Sequence, residues 1–197
     1  MLKVGITGGI GSGKSVVSRM LMVLGIPVYF ADEAAKRLMN EDEALKEKIK
    51  SHFGNEAYNE QGLNRAWLAA QVFHSEAKIQ ELNSLVHPAV FADADIWIAK
   101  QTSPYVAREA ALFFESGSAG QMDLMVGVYA PQALRLQRVM QRDGLGRQDV
   151  LQRMDRQINE EMKMRLCDIV LRNDEQQMLT PQVIQLHEQL LVKAGQQ

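Results

Sequence analysis

The stretch Leu2-Lys3-Val4-Gly5-Ile6-Thr7-Gly8-Gly9-Ile10-Gly11-Ser12-Gly13-Lys14-Ser15-Val16-Val17-Ser18-Arg19-Met20-Leu21-Met22-Val23-Leu24 decides the fold. Residues 2–7 read as a short buried strand, and residues 8–15 as a glycine-rich loop. An apolar-periodic helix follows from Val16. The loop carries the full Gly-x-x-x-x-Gly-Lys-Ser spacing from Gly8 to Ser15, in the strand-to-helix setting that gives the motif its meaning. Glycines leave no Cβ in the way, so successive backbone N–H groups can turn inward around phosphate oxygens. The helix after the loop points its positive end at the same place. Lys14 would reach the β- and γ-phosphates, and the Ser15 hydroxyl would ligate Mg²⁺. A glycine-rich turn with a chance lysine would lack the flanking strand and helix, so the stretch is read as a nucleotide site.

The bulk of the chain agrees with an ordinary globular protein. It has 197 residues, enough for one domain with inserted subdomains, and its 46% hydrophobic and 23% charged content are globular values. A net charge of −2 gives no electrostatic case for nucleic acid or a membrane surface. No apolar run approaches the ~18 residues of a membrane span, and no signal-like stretch precedes the first strand. A single cysteine, Cys167, forms no internal disulfide, which fits a reducing cytosol. A cytoplasmic protein, monomeric or weakly homo-oligomeric, is expected. The eleven methionines read as an adaptable core.

Outward from the loop, Gly25 stops the first helix and residues 26–31 read as a second strand. Asp32 follows at the carboxyl end of that strand, the edge where open α/β sheets bind ligands. It can act as a base or water-mediated metal ligand there, or only cap the helix that follows. Residues 41–103 show no buried strand. Leu45, Ile49 and Phe53 mark a helix ending near Gly54, and residues 55–62 a polar loop. Asn64 caps a helix from Arg65 to Phe73, and Ile79, Leu82 and Val86 mark another. Pro88 biases His87 away from helical geometry and can start the next helix, which places the imidazole at a helix–helix junction. Arg65 reads by default as a solvated charge. Residues 36–90 thus form a helical insertion, large enough to hold a second substrate.

A third strand is read over residues 105–114, ending at Glu115, and a fourth over residues 123–129. Pro131 opens a helix whose Arg135, Arg138 and Arg142 share one face. After the break at residues 142–147 comes a second helix bearing Arg147, Arg153 and Arg156. Charged faces are usually only solvated. Arginine-bearing helices around a glycine-containing break, in a chain with a phosphate loop, are nevertheless what a closing lid needs, and residues 135–165 are read as one. Residues 167–173 form the last strand, beginning at Cys167, before a final helix capped by Thr180. The alternation gives an α/β fold, a doubly wound parallel sheet of about five strands.

Three functional classes share such a loop: a small-molecule kinase, a switch-type GTPase and an ATPase that drives mechanical work. A guanine-specific switch needs an Asn-Lys-x-Asp element after a strand, and none occurs. The Asp-x-x-Gly match from Asp143 to Gly146 follows a helix, not a strand. A motor-type strand closed by an acid survives weakly in Phe113-Phe114-Glu115. The helical insertion and the arginine-bearing lid favour the kinase.

The run from Gly5 to Ser15 closely resembles the phosphate loop of dephospho-coenzyme A kinases, which typically read Leu/Ile-Thr-Gly-Gly-Ile-Gly-Ser-Gly-Lys-Ser. The likeness continues through Leu24-Gly25-Ile26-Pro27-Val28, Phe30-Ala31-Asp32, His52-Phe53-Gly54, Gly62-Leu63-Asn64-Arg65-Ala66 and Leu85-Val86-His87-Pro88. It resumes at Glu115, Gln141-Arg142-Asp143, Arg156-Gln157 and Cys167-Asp168-Ile169-Val170 with Asn173. Phe30 stands where the family often has Asp, Val16 where Thr is usual, and the third strand lacks the family's proline. The resemblance implies a P-loop kinase fold and transfer of the γ-phosphoryl group of ATP, with Mg²⁺, to the ribose 3′-hydroxyl of dephospho-CoA. It implies that Gly9, Gly11, Ser12, Gly13, Lys14, Ser15 and Val16 hold the nucleotide, that Ser15 meets the metal, and that Asn173 lies in the adenine-contacting loop. Asp32 matches the catalytic aspartate, Lys14 and Arg142 the charges on the phosphates, and Thr7, Asp32, Arg65, His87 and Glu115 the acceptor side.

Overall fold

The computed structural model describes residues 1–72 and 75–196, in two compact units. One comprises Met1–Phe30 and Gln101–Gln197, the other Ala31–Lys100. In the first unit the strands are β1 (Leu2–Thr7), β2 (Val28–Phe30), β5 (Tyr105–Glu109), β6 (Leu124–Tyr129) and β7 (Ile169–Arg172). They form one sheet in the order β2-β5-β1-β6-β7, and every pairing is parallel. The first strand of the chain is therefore the central one, with buried neighbours on both sides. Its helices are α1 (Lys14–Val23), α6 (Gln132–Asp143), α7 (Arg147–Asp155), α8 (Glu160–Arg165) and α9 (Leu179–Ala194). The second unit holds α2 (Ala31–Glu41), α3 (Glu43–Phe53), the short hairpin β3 (Tyr58–Asn59) and β4 (Gly62–Leu63), α4 (Arg65–Val72) and α5 (Glu76–Ala99).

Strand alternation distributes side chains to two faces. Leu2, Val4 and Ile6 join Leu124, Val126 and Val128 in a core with Val17 and Leu21 of α1 and Val183, Leu186 and Leu190 of α9. The opposite face is built differently. Gly5 lies under Met122 and Met125, and Gly127 under Met164, so thioethers fill the space that strand glycines leave open. This is the adaptable use expected of the methionines, and it lets helix α8 come close to β6.

Several boundaries differ from the sequence reading. The third sheet strand stops at Glu109, and residues 110–117 turn away, with the Ser116 amide donating to the Leu112 carbonyl. Its ladder partners explain the stop. Ile6 and Phe30 both lie opposite Glu109, and beyond them β1 enters the glycine loop and β2 enters α2. The apolar residues that follow do not extend the strand; Phe113 is instead fully buried in the turn, with the Arg108 guanidinium 5.6 Å from its ring. Strand β2 is shorter than residues 26–31: it starts only at Val28, after Pro27, and α2 begins at Ala31. Cys167 precedes β7, half-buried, its thiol donating to the Lys163 carbonyl at 3.2 Å. Helix α9 begins at Leu179, so Thr180 lies within its first turn and is not the cap.

In the helical unit, the Asn64 cap is present, its side chain accepting from the Trp67 amide at 3.2 Å, whereas the expected helix end at Phe73 lies outside the described residues. The stretch expected to be a polar loop contains the β3–β4 hairpin, tied to α2 by Leu63 N–H donating to Asn40 Oδ1 at 3.0 Å. The largest departure is at Pro88. Helix α5 runs unbroken through it, so His87 is not at a junction but in a helix interior, stacked on Phe91 at 6.0 Å. A proline inside a helix forfeits one backbone bond and crowds the preceding turn. Packing compensates: Val86, Val90, Ala94 and Ile98 form one buried stripe that continues on both sides of Pro88.

Two outcomes follow from these placements. Pro88→Ala restores a helix bond without removing a buried contact and should raise the unfolding free energy in urea by about 1 kcal/mol or more; a fall would show that the chain needs the proline's geometry. Burial and the neighbouring Asp168 carboxylate push the Cys167 thiol up to about 12. A raised value means less thiolate at pH 8, so alkylation by iodoacetamide should be at least ~100-fold slower in the folded than in the urea-unfolded chain.

Candidate active site

The loop at residues 8–15 leaves the central strand and enters α1 without a side-chain cap, since the capping position is Gly13. Gly13 has φ +98°, a left-handed conformation that side-chain-bearing residues rarely adopt. The opening amides of α1 therefore face outward at the positive end of the helix, an anion site by construction. Lys14 is buried, and its ammonium donates to the Gly8 carbonyl at 2.9 Å and to the Gly9 carbonyl at 3.4 Å. The loop thus holds its cation by its own backbone. Ser15 is exposed on the first turn of α1, so its hydroxyl oxygen is open to a cation. Mg²⁺ takes most of its shell from phosphates and water, and a single protein hydroxyl suits it. The Thr7 and Ser12 hydroxyls are buried at the two ends of the loop's first half, without a protein hydrogen-bond partner.

The outer side of the loop is braced by side chains far away in sequence. Gly9 N–H donates to Glu160 Oε1 at 3.2 Å, and Ile10 N–H to Gln157 Oε1 at 2.9 Å. Asn173 donates from Nδ2 to the Ser12 carbonyl at 2.8 Å, while its own carbonyl accepts from Arg138 at 3.2 Å. The Ile10 side chain packs on a small cluster of Val139, Val150 and Met154 between α6 and α7. Asn173, expected near adenine, spends its amide nitrogen on the phosphate loop.

The other expected residues fall in several places. Glu115 lies in the turn after β5, not at a strand end, so Phe113-Phe114-Glu115 supplies no motor-type strand carboxylate. Its Oε1 accepts from Lys163 Nζ at 3.0 Å and from Ile158 N–H at 3.0 Å. Lys163 is fully buried and also donates to the Ala111 carbonyl at 2.8 Å. Arg142 is exposed and paired with its neighbour Asp143, at 2.7 and 3.0 Å, which keeps that guanidinium firmly protonated and holds the Asp143 carboxyl below its ordinary range. Arg135, read with Arg142 on a basic face, is instead buried, and its Nε donates to the Ala130 carbonyl at 3.1 Å. Val16 is exposed on α1 next to Ser15. In the helical unit, Asp32 is exposed as the second residue of α2. It is inside the first turn, where its charge suits the helix dipole, and not at the preceding capping position. Arg65 is exposed as the first residue of α4, and His87 is half-buried on α5.

Sequence reading did not find Gln157, Glu160 or Lys163 as supports of the site. Their partners are 147, 151 and 48 residues away, and no local periodicity reports a contact of that span. One signal was available: Asn159 followed by Glu160 and Glu161 is a helix start, and Asn159 does accept from the Glu161 and Met162 amides. That start fixes Glu160 at the end of a helix pointing its first turn toward the loop.

A family model for dephospho-CoA kinase matches residues 2–178. A dephospho-CoA kinase from Bacteroides fragilis is 37% identical over 186 residues, covering 94% of this chain and 91% of the relative. Among solved structures, the protein TT1252 from Thermus thermophilus superposes with a TM-score of 0.82 at 34% identity, covering 98% of this chain and 97% of that one. The dephospho-CoA kinase from Campylobacter jejuni gives a TM-score of 0.68 at 26% identity, covering 97% and 98%. With the phosphate loop at the head of the central strand and the five-stranded parallel sheet behind it, the match over most of its length means that this chain belongs to the dephospho-CoA kinase family.

Proposed function

We propose that this chain transfers the γ-phosphoryl group of ATP to the ribose 3′-hydroxyl of dephospho-CoA, yielding CoA and ADP. The observation that carries the reading is a complete phosphate loop, externally braced, in a chain whose sequence follows that of a dephospho-CoA kinase over nine-tenths of its length. Phosphoryl transfer needs little covalent chemistry from the protein, and positioning and charge stabilisation do most of the work. The amides of Gly11 and Gly13 and those at the start of α1 hold the β- and γ-phosphates. Lys14 exchanges its bonds to the loop carbonyls for phosphate oxygens. Ser15 is the residue that would hold Mg²⁺, whose charge, when bound, offsets that of the bridging oxygens. Asp32 orients the acceptor hydroxyl and takes its proton. Thr7, Arg65, His87 and Glu115 belong to the acceptor side. Asn173 acts from behind the loop, through Ser12.

Residues 135–165 serve as the lid, and Arg142 is its mobile charge. Its present partner is a surface carboxylate on the adjacent residue, held by an exposed contact that a phosphate oxygen can replace at small cost. No helix among the described residues is long and apolar enough to cross a membrane, and both substrates are small and water-soluble. A cytoplasmic location fits such a reaction.

A coupled ADP-release assay with dephospho-CoA, adenosine, AMP and no acceptor should give turnover with dephospho-CoA well above the other three. ADP release at one rate in all four would make the chain a plain ATPase. Asp32→Asn should lower kcat by roughly a hundredfold or more while the melting temperature changes little, since a general base contributes on that scale; near-normal turnover would reduce Asp32 to a helix-end charge. Arg142→Ala should lower kcat more than it weakens ATP binding, the pattern of an interaction made mainly in the transition state. Equal losses in both would count against that role.

A further inference from the structure

Beside the phosphate loop lies a pair of buried charges that the reaction as derived above does not use. Arg135 on α6 and Glu160 at the start of α8 stand 3.8 Å apart, with 8% and 10% of their side-chain surface exposed. The pair touches the loop itself. Glu160 Oε1 accepts from Gly9 N–H at 3.2 Å, and a Cβ on Gly9 would collide with both Arg135 Nη1 and Glu160 Oε2. A cavity of about 390 Å³ opens next to them, and among the described residues that line it Asp155, Glu160 and Glu161 are acidic while Arg135 is the one cation.

A carboxylate is a strange choice for this position. It offers a good acceptor to the Gly9 amide, yet an unneutralised negative charge beside a loop built for a polyanion would oppose the ligand. Burial sharpens the conflict, because solvent screens the pair poorly. Arg135 resolves it. Its guanidinium is anchored by Nε to the Ala130 carbonyl at 3.1 Å, which holds the other end of the fork against the Glu160 carboxylate. We infer that Arg135 and Glu160 are positioning residues for the phosphoryl donor: Glu160 fixes the Gly9 backbone, and Arg135 cancels the charge that this carboxylate would otherwise present to a nucleoside triphosphate. The inference rests on the donor side of the proposed function and is independent of the acceptor.

Two roles for one pair give opposite signs on mutation. Arg135→Gln leaves the Glu160 carboxylate unopposed, so ADP and ATP should bind about tenfold more weakly. Glu160→Gln keeps an acceptor for Gly9 and leaves the Arg135 cation unopposed, so the same nucleotides should bind about threefold more tightly. The double variant should recover most of the affinity lost in Arg135→Gln. Glu160→Ala removes the acceptor as well, and its kcat should fall about tenfold through a loosened loop, a loss that Glu160→Gln rescues. The measurement is calorimetric titration with MgADP and no acceptor, alongside steady-state kinetics and a melting temperature for each variant. A shift of the same sign in Arg135→Gln and Glu160→Gln would overturn the proposal. So would lower melting temperatures with unchanged nucleotide affinity, which would make the pair a packing element only. A Glu160→Ala enzyme faster than the parent would overturn it too, showing that the carboxylate obstructs the loop.

Discussion

A loop with glycines at positions 8, 9, 11 and 13 has almost no shape of its own, because each glycine multiplies the conformations open to the unfolded chain. What orders it here is a set of hydrogen bonds made to its backbone by side chains from outside the motif. Glu160 and Gln157 take two amides, and Asn173 gives a hydrogen to one carbonyl. Lys14 closes the loop from within. Each bond contributes only about 1 kcal/mol net, more where a charge is involved. Together they restrict the loop to one conformation at the positive end of α1. An anion site needs both properties at once.

The sheet makes those bonds possible by where its strands stop. β1 lies between β5, which ends beside it, and β6, which continues past it. Thr7 lies opposite Gly127, and β6 runs on to Tyr129, whose carbonyl accepts from Asn173 N–H at 2.8 Å. β7 pairs with that extension and delivers Asn173 one residue past its end. The support for Ser12 is thus a consequence of strand register two positions across the sheet. Parallel register, set by the buried residues of four strands, is transmitted directly into the geometry of the loop.

Much of this was legible in the sequence because it is local. The phosphate loop, the four sheet strands that contain Leu2, Val28, Tyr105 and Leu124, and the Asn64 cap are short-range patterns with short-range causes. Where the reading failed, distance was the reason. Phe113 and Phe114 look like strand residues, and only the ends of β1 and β2, brought alongside by folding, show that the ladder has run out at Glu109. Pro88 breaks helices in isolation, and the stripe from Val86 to Ile98 that carries α5 past it counts only once there is something to pack against. The basic face of α6 was read as one set, yet burial separates its members: Arg135 is enclosed with a carboxylate while Arg142 stays at the surface. Helical spacing places residues on a face and says nothing about what covers it.

The packing of Ile10, which is partly buried, ties the phosphate loop to the helix beyond α6. Its side chain belongs to the same apolar cluster as Val150 and Met154 of α7. Lifting α7 would strip cover from a residue of the phosphate loop, and each buried methylene exposed in that way costs about 0.8 kcal/mol. At the other end, Lys163 and Ile158 share one oxygen of Glu115, and freeing the lysine would strand a buried charge. The phosphate loop and α7 therefore share one apolar cover, and exposing either exposes the other.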